Sequence, residues 1–100
     1  MTSRIPLDSF LSFCKSLDGQ EVCTIRRRTK FQVKVVGQDL EFTPLATGKS
    51  RPHKVKYVIG VLDMFSNGHS FMPSDYKHYT VNASYQLALI QRYIASRGAV

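Results

Sequence analysis

Lys30-Phe31-Gln32-Val33-Lys34-Val35-Val36-Gly37-Gln38-Asp39-Leu40-Glu41-Phe42-Thr43 decides the fold of this chain. From Lys30 to Val36 the residues alternate, with Phe31, Val33 and Val35 on one side and Gln32, Lys34 and Val36 on the other. Successive side chains of a strand point to opposite faces, so this is a strand with one buried face. Asp39–Thr43 repeats the pattern, Leu40 and Phe42 inward and Asp39 and Glu41 outward. Gly37-Gln38 between them suits a two-residue II′ turn, which wants glycine first. One packed face and one solvated face describe an antiparallel meander. Upstream, Glu21–Arg26 is rich in strand formers (Val22, Cys23, Thr24, Ile25) and supplies a third strand. Arg26-Arg27-Arg28-Thr29-Lys30 then forms the tip of the first hairpin, and clustered like charges there must be exposed.

Helices flank the meander. Over Pro6–Leu17, Leu7, Phe10, Leu11, Cys14 and Leu17 recur at helical spacing, with Pro6 at the start and Gly19 as the stop. Pro44–Pro52 reads as a loop. A second helix is expected over Arg51–Ser66, with Ser50 as its cap and Val55, Val58, Ile59, Leu62 and Phe65 as its stripe. Val55, Tyr57, Ile59 and Val61 also alternate, and Gly60 weakens a helix interior, so a fourth strand competes there. Asn67–Tyr79 reads as a long polar and aromatic loop. The last helix runs from Val81 or Asn82 to Ser96 and carries two apolar seams, Ala83/Leu87/Ile90/Ile94 and Tyr85/Leu89/Tyr93. Two seams require burial on two sides, under the core plus the 67–79 loop or under a second copy of the chain. The expected architecture is α+β: an N-terminal helix, a three-stranded antiparallel meander and two C-terminal helices packed on one sheet face.

One hundred residues suit a single compact domain, 1–100, and 43% hydrophobic content suits a globular core. The N-terminus lacks the pattern of a signal peptide, and no stretch has the length of a membrane span. Cys14 and Cys23 have neither a CxxC nor a zinc spacing. They read as buried small hydrophobes of a reduced, cytoplasmic protein with no membrane partner.

Charge is concentrated. Arg26–Lys56 holds nine cations (Arg26, Arg27, Arg28, Lys30, Lys34, Lys49, Arg51, Lys54, Lys56) against Asp39 and Glu41. That difference equals the +7 of the whole chain, so the remainder is balanced. A one-sided excess of this kind meets a polyanion, nucleic acid being the commonest, or is a solvated basic face. Thr47-Gly48-Lys49-Ser50 looks like the end of a phosphate-binding P-loop, but the glycine required five residues before Gly48 is Thr43. What remains is a basic loop before a helix N-terminus, a place that attracts anions. His53, His69 and His78 have no ligand spacing, so no metal or cofactor is expected. Seven scattered carboxylates form no acid–base pair. Tyr76, His78 and Tyr79 are the only residues on which a nuclease or toxin activity could rest, and loop tyrosines usually pack.

Phe42-Thr43-Pro44, Thr47-Gly48-Lys49, Arg51, Tyr76, Tyr79-Thr80 and Asn82-Ala83-Ser84-Tyr85-Gln86-Leu87-Ala88-Leu89-Ile90 resemble small bacterial proteins carried on mobile gene cassettes. Similar units look to be appended to DNA-defence proteins. The resemblance covers about residues 17–94. It implies a compact α+β domain with a DNA-related role and transfers no catalytic residue.

Two functions follow as expectations. The first is a non-enzymatic nucleic-acid-binding module contacting phosphates through Arg27, Arg28, Lys30, Lys49, Arg51 and Lys54. The second is a homo-oligomeric adaptor for an acidic protein, a homodimer joined through Tyr85, Leu89 and Tyr93.

Overall fold

The computed structural model of the chain describes residues 5–68, 71–77, 79–80 and 82–96. Helix α1 (Leu7–Ser16) leads into four strands, β1 (Glu21–Cys23), β2 (Lys30–Val36), β3 (Asp39–Pro44) and β4 (Arg51–His53). Helix α2 (Val55–Gly68), a single 3-10 turn (Pro73–Tyr76) and helix α3 (Ala83–Ser96) complete it. The strands form one antiparallel sheet in the order β1-β2-β3-β4. The meander is therefore as expected but one strand longer.

The alternation in the central pair is realised. Phe31, Val33, Leu40 and Phe42 are at most 1% exposed, while Lys30, Lys34 and Val36 lie open. Val35 faces Leu40 and Val36 faces Asp39 across the Gly37-Gln38 turn. Gly37 takes φ 66° and Gln38 does not share the positive φ, as a II′ turn requires. One hydrophobic core gathers the inward sheet residues with Phe10, Leu11 and Cys14 of α1, Val58, Val61, Leu62 and Phe65 of α2, and Leu87, Leu89 and Ile90 of α3. Helices thus lie on one side of the sheet and its other face carries Glu21, Cys23, Lys30, Gln32, Lys34 and Glu41.

Four expectations need correction. The fourth strand is not at 55–61 but at Arg51–His53, inside the stretch read as loop and first helical turn. Pro52 fits there because β4 is an edge strand: opposite Glu41 it has no N–H to give, and its carbonyl accepts from Asn82 Nδ2 at 3.3 Å. Helix α2 accordingly starts at Val55, and its cap is not Ser50. Asp39 Oδ1, at the start of β3, accepts the Val55 N–H at 2.7 Å, a carboxylate satisfying a free donor and the helix dipole together. The buried stripe of α2 is Val58, Val61, Leu62 and Phe65, rotated so that Val55 is half-buried and Ile59 is 42% exposed. Finally, Cys14 is buried but Cys23 is exposed on β1, and both are free thiols. Burial pushes the Cys14 thiol up to about 12.

Gly60 has a packing reason. The Tyr79 ring lies directly over it, and a Cβ there would overlap the ring and its hydroxyl. The hydroxyl donates to the Lys56 carbonyl at 2.7 Å, and the ring meets Tyr57 edge-on at 5.5 Å between centroids.

Most of both α3 seams is buried within one chain: Ala83, Leu87, Ile90, Leu89 and Tyr93 are buried and Tyr85 is half-buried, while Ile94 is 37% exposed. Leu89 is fully buried and Tyr93 is 6% exposed, packed on Phe13 and Phe10 of α1 with centroids at 5.5 and 6.1 Å. Tyr85 packs on Phe31 and Phe42 at 4.9 and 5.3 Å. Helix α1 and the sheet therefore cover Leu89 and Tyr93 and part of Tyr85, the three side chains expected to meet a second copy. Among the described residues no helix is long and apolar enough to cross a membrane.

Candidate functional site

In a meander, alternate connections lie at the same end of the sheet. The β1–β2 and β3–β4 connections share one end, and the Gly37-Gln38 turn lies at the other. The arginine tip and the Thr47-Gly48-Lys49-Ser50 loop, twenty residues apart in sequence, are thus brought to one edge of the molecule. The Leu45 N–H donates to the Lys30 carbonyl at 3.0 Å and fixes where the second loop departs beside the first hairpin.

Each loop is shaped by hydroxyl residues. Thr24 and Thr29 close the first: the Thr24 N–H reaches the Thr29 carbonyl, and the Thr29 N–H reaches Thr24 Oγ1, both at 2.9 Å. Ile25–Arg28 is left as a short tip, with Arg28 at φ 58°, the left-handed region that costs an L-residue about 1–2 kcal/mol. In the second loop the Gly48 N–H donates to the Pro44 carbonyl at 2.8 Å, and Gly48 itself takes φ 67°. Thr43 and Ser50 hydroxyls meet at 3.1 Å across its base. This is a hairpin connection between antiparallel strands, not the strand-to-helix turn of a P-loop.

The six cations named from the sequence divide. Arg27, Arg28, Lys30, Lys49 and Arg51 gather at the shared end; Lys54 does not. It lies just past the far end of β4, about 10 Å along the strand from Arg51 at roughly 3.3 Å per residue, and stands 3.8 Å from Asp39 Oδ2. Asp39 also caps α2, so the helix N-terminus expected to attract a phosphate already holds a carboxylate of its own chain. Lys30 stands 3.9 Å from Glu21, both well exposed, a pairing worth little in water. Arg27, Arg28, Lys49 and Arg51 make no ion pair with the described residues and are exposed.

Behind the tip lies a cleft of about 480 Å³. One wall is the first hairpin end (Thr24, Ile25, Arg26, Arg27, Thr29). The other is the segment Phe71–Ser74, and Ser84, Tyr85 and Leu87 of α3 complete the lining. Arg26 bridges the walls, its Nη1 3.0 Å from Met72 Sδ. The Tyr85 hydroxyl makes no hydrogen bond with the described residues, although its ring is fixed between Phe31 and Phe42. Sequence reasoning missed this cleft and assigned Tyr85 to a dimer seam. The one signal available was Thr24 and Thr29 framing the arginines; nothing local links them to Phe71 or Ser84.

The described members of the remaining candidates are held in packing contacts or hydrogen bonds. Tyr76 is 1% exposed, and burial, aided by Asp75, pushes its phenol up. The Tyr79 hydroxyl is engaged on Lys56; His69 and His78 lie outside the described residues. His53 is buried against Gln86, Nε2 to Oε1 at 2.6 Å. Gln86 Nε2 donates to the Val58 carbonyl at 3.0 Å, so its Oε1 accepts and His53 Nε2 carries the proton. Nδ1 is then a bare lone pair, buried without a partner. Burial pulls the imidazole below its ordinary value, against the Gln86 hydrogen bond, which raises it. Among the described residues no group of three or more His, Cys, Asp or Glu is placed to hold a metal ion.

No protein-family model, curated protein sequence or solved structure matches the chain, so the gene-cassette likeness of residues 17–94 gains no further support.

Proposed function

We propose that the protein is a non-enzymatic nucleic-acid-binding module whose contact surface is the sheet end carrying the β1–β2 tip and the β3–β4 loop. The observation that carries this is the meander itself: its strand order brings the connections that hold Arg27, Arg28, Lys49 and Arg51 to one end of the sheet, with all four exposed and unpaired among the described residues. Cations so placed gain from releasing the counterions condensed on a phosphate backbone. They fix position and supply affinity; they do not read bases.

The test is fluorescence anisotropy with labelled duplex DNA, single-stranded DNA and RNA over a salt series. Binding should weaken steeply with salt. Arg27→Gln, Arg28→Gln and Lys49→Gln should each flatten the slope of log K against log salt by about 0.7–0.9. Lys54→Gln, at the other end of β4, should leave the slope unchanged. No binding to any of the three at low salt would overturn the proposal.

A further inference from the structure

We infer that the cleft behind the arginine tip holds one unpaired nucleotide, so the ligand is a single strand of DNA or RNA and not a duplex. This rests on the nucleic-acid reading above and adds which form is bound and where its base goes. Three features of the cleft point to a base with its phosphate. Its lining is partly apolar and aromatic, with Phe71, Leu87 and a Tyr85 ring held in place by contacts with Phe31 and Phe42. Its lining also includes Arg26 and Arg27, both exposed, so cations stand beside the apolar and hydroxyl side chains. The Tyr85 hydroxyl, unbonded among the described residues, supplies with Ser74 and Ser84 polar groups for a base edge without any buried charge. Its volume, about 480 Å³, is that of a small-ligand site and not of a flat surface contact.

A paired base cannot reach such a lining. It is stacked on both faces, and flipping it out costs several kcal/mol that an unpaired base does not owe. Stacking on aromatic side chains works for any base, so the site gives strand-form selectivity without sequence selectivity. Arg26 spans the two walls through Met72, a weak sulfur acceptor that a phosphate oxygen would readily outcompete. An entering nucleotide thus meets a strap that exchanges a poor partner for a good one.

The experiment compares a short oligodeoxyadenylate, the same oligomer in RNA, an abasic strand of equal length and charge, and a duplex, by anisotropy at fixed salt. Strands with bases should bind roughly 5- to 150-fold tighter than the abasic strand, the span expected for one stacked base. Ser84→Tyr, which fills the α3 side, and Ser74→Phe, which fills the opposite wall, should each remove that gain and leave abasic-strand affinity unchanged; two variants from different walls guard against a folding defect in either. Equal affinity for base-bearing and abasic strands, or a gain that survives both fillings, overturns the cleft assignment while the basic end remains a phosphate-binding surface. Failure of every ligand to bind overturns both.

Discussion

Replacing Gly60 with alanine should destabilise the protein, against the usual behaviour of a helix interior. In an unobstructed helix, glycine to alanine gains about 1 kcal/mol. Here the added methyl falls within the Tyr79 ring and hydroxyl. The ring must leave, and three contributions leave with it. The hydroxyl bond to the Lys56 carbonyl is worth about 1 kcal/mol. The edge-on contact with Tyr57 is worth about 0.5–1.5 kcal/mol, and part of the ring's burial adds about 1 kcal/mol. Subtracting the propensity gain leaves about 2 kcal/mol of net destabilisation, or about 8–16 °C in Tm for a domain of this size. The background then reverses the sign. In Tyr79→Ala the obstruction is gone, and the same Gly60→Ala change should stabilise by about 1 kcal/mol. Urea unfolding of the wild type, both single variants and the double variant gives a coupling energy of about 3 kcal/mol between the two sites. Gly60→Ala that stabilises the wild-type background, or changes of equal sign in both, would refute the packing of Tyr79 over α2.

Two further outcomes are expected. Arg28→Gly relieves a left-handed residue, and after the larger chain entropy that glycine loses on folding it should stabilise by about 0.5–1 kcal/mol; the same variant should bind single strands more weakly, and a gain in both stability and affinity would remove Arg28 from the contact surface. His53 is held below its ordinary 6.5 by burial, so the unfolded chain takes up the proton first; its contribution is complete above pH 6.5 and is lost as pH falls from there toward the folded value, at up to about 1.4 kcal/mol per pH unit. Urea midpoints measured from neutral to mildly acidic pH should fall for the wild type and fall less for His53→Gln, and parallel curves would remove His53 as the source.

What was legible depended on how far apart the responsible residues lie. The β2–β3 hairpin was readable because alternation and the glycine turn sit within fourteen adjacent residues, Lys30–Thr43. Strand β4 was not. It is three residues long, contains a proline and owes its existence to pairing with Leu40 and Phe42. The start of α2 was missed because its cap, Asp39, is sixteen residues upstream and arrives through the sheet. The two seams of α3 correctly announced burial on two sides. Only the three-dimensional placement of Phe10, Phe13, Phe31 and Phe42 shows that the chain itself packs on Tyr85 and Tyr93, while Ile94 of the other seam stays 37% exposed. The basic segment was plain from composition. That Lys54 departs from it, and that Arg26 and Arg27 line a cleft, follow from strand direction and from contacts across more than forty residues.

Pro52 carries a consequence for how copies of this protein behave when crowded. Exposed strand edges let folded molecules zip together, and a sheet polymerises only if each molecule has two such edges. On the β4 side the outward position is a proline without a donor, and its carbonyl is already taken by Asn82. A neighbouring strand finds nothing to bond there. Among the described residues the β1 edge is then the better template, so strand-to-strand association is expected to favour a pair over a fibre.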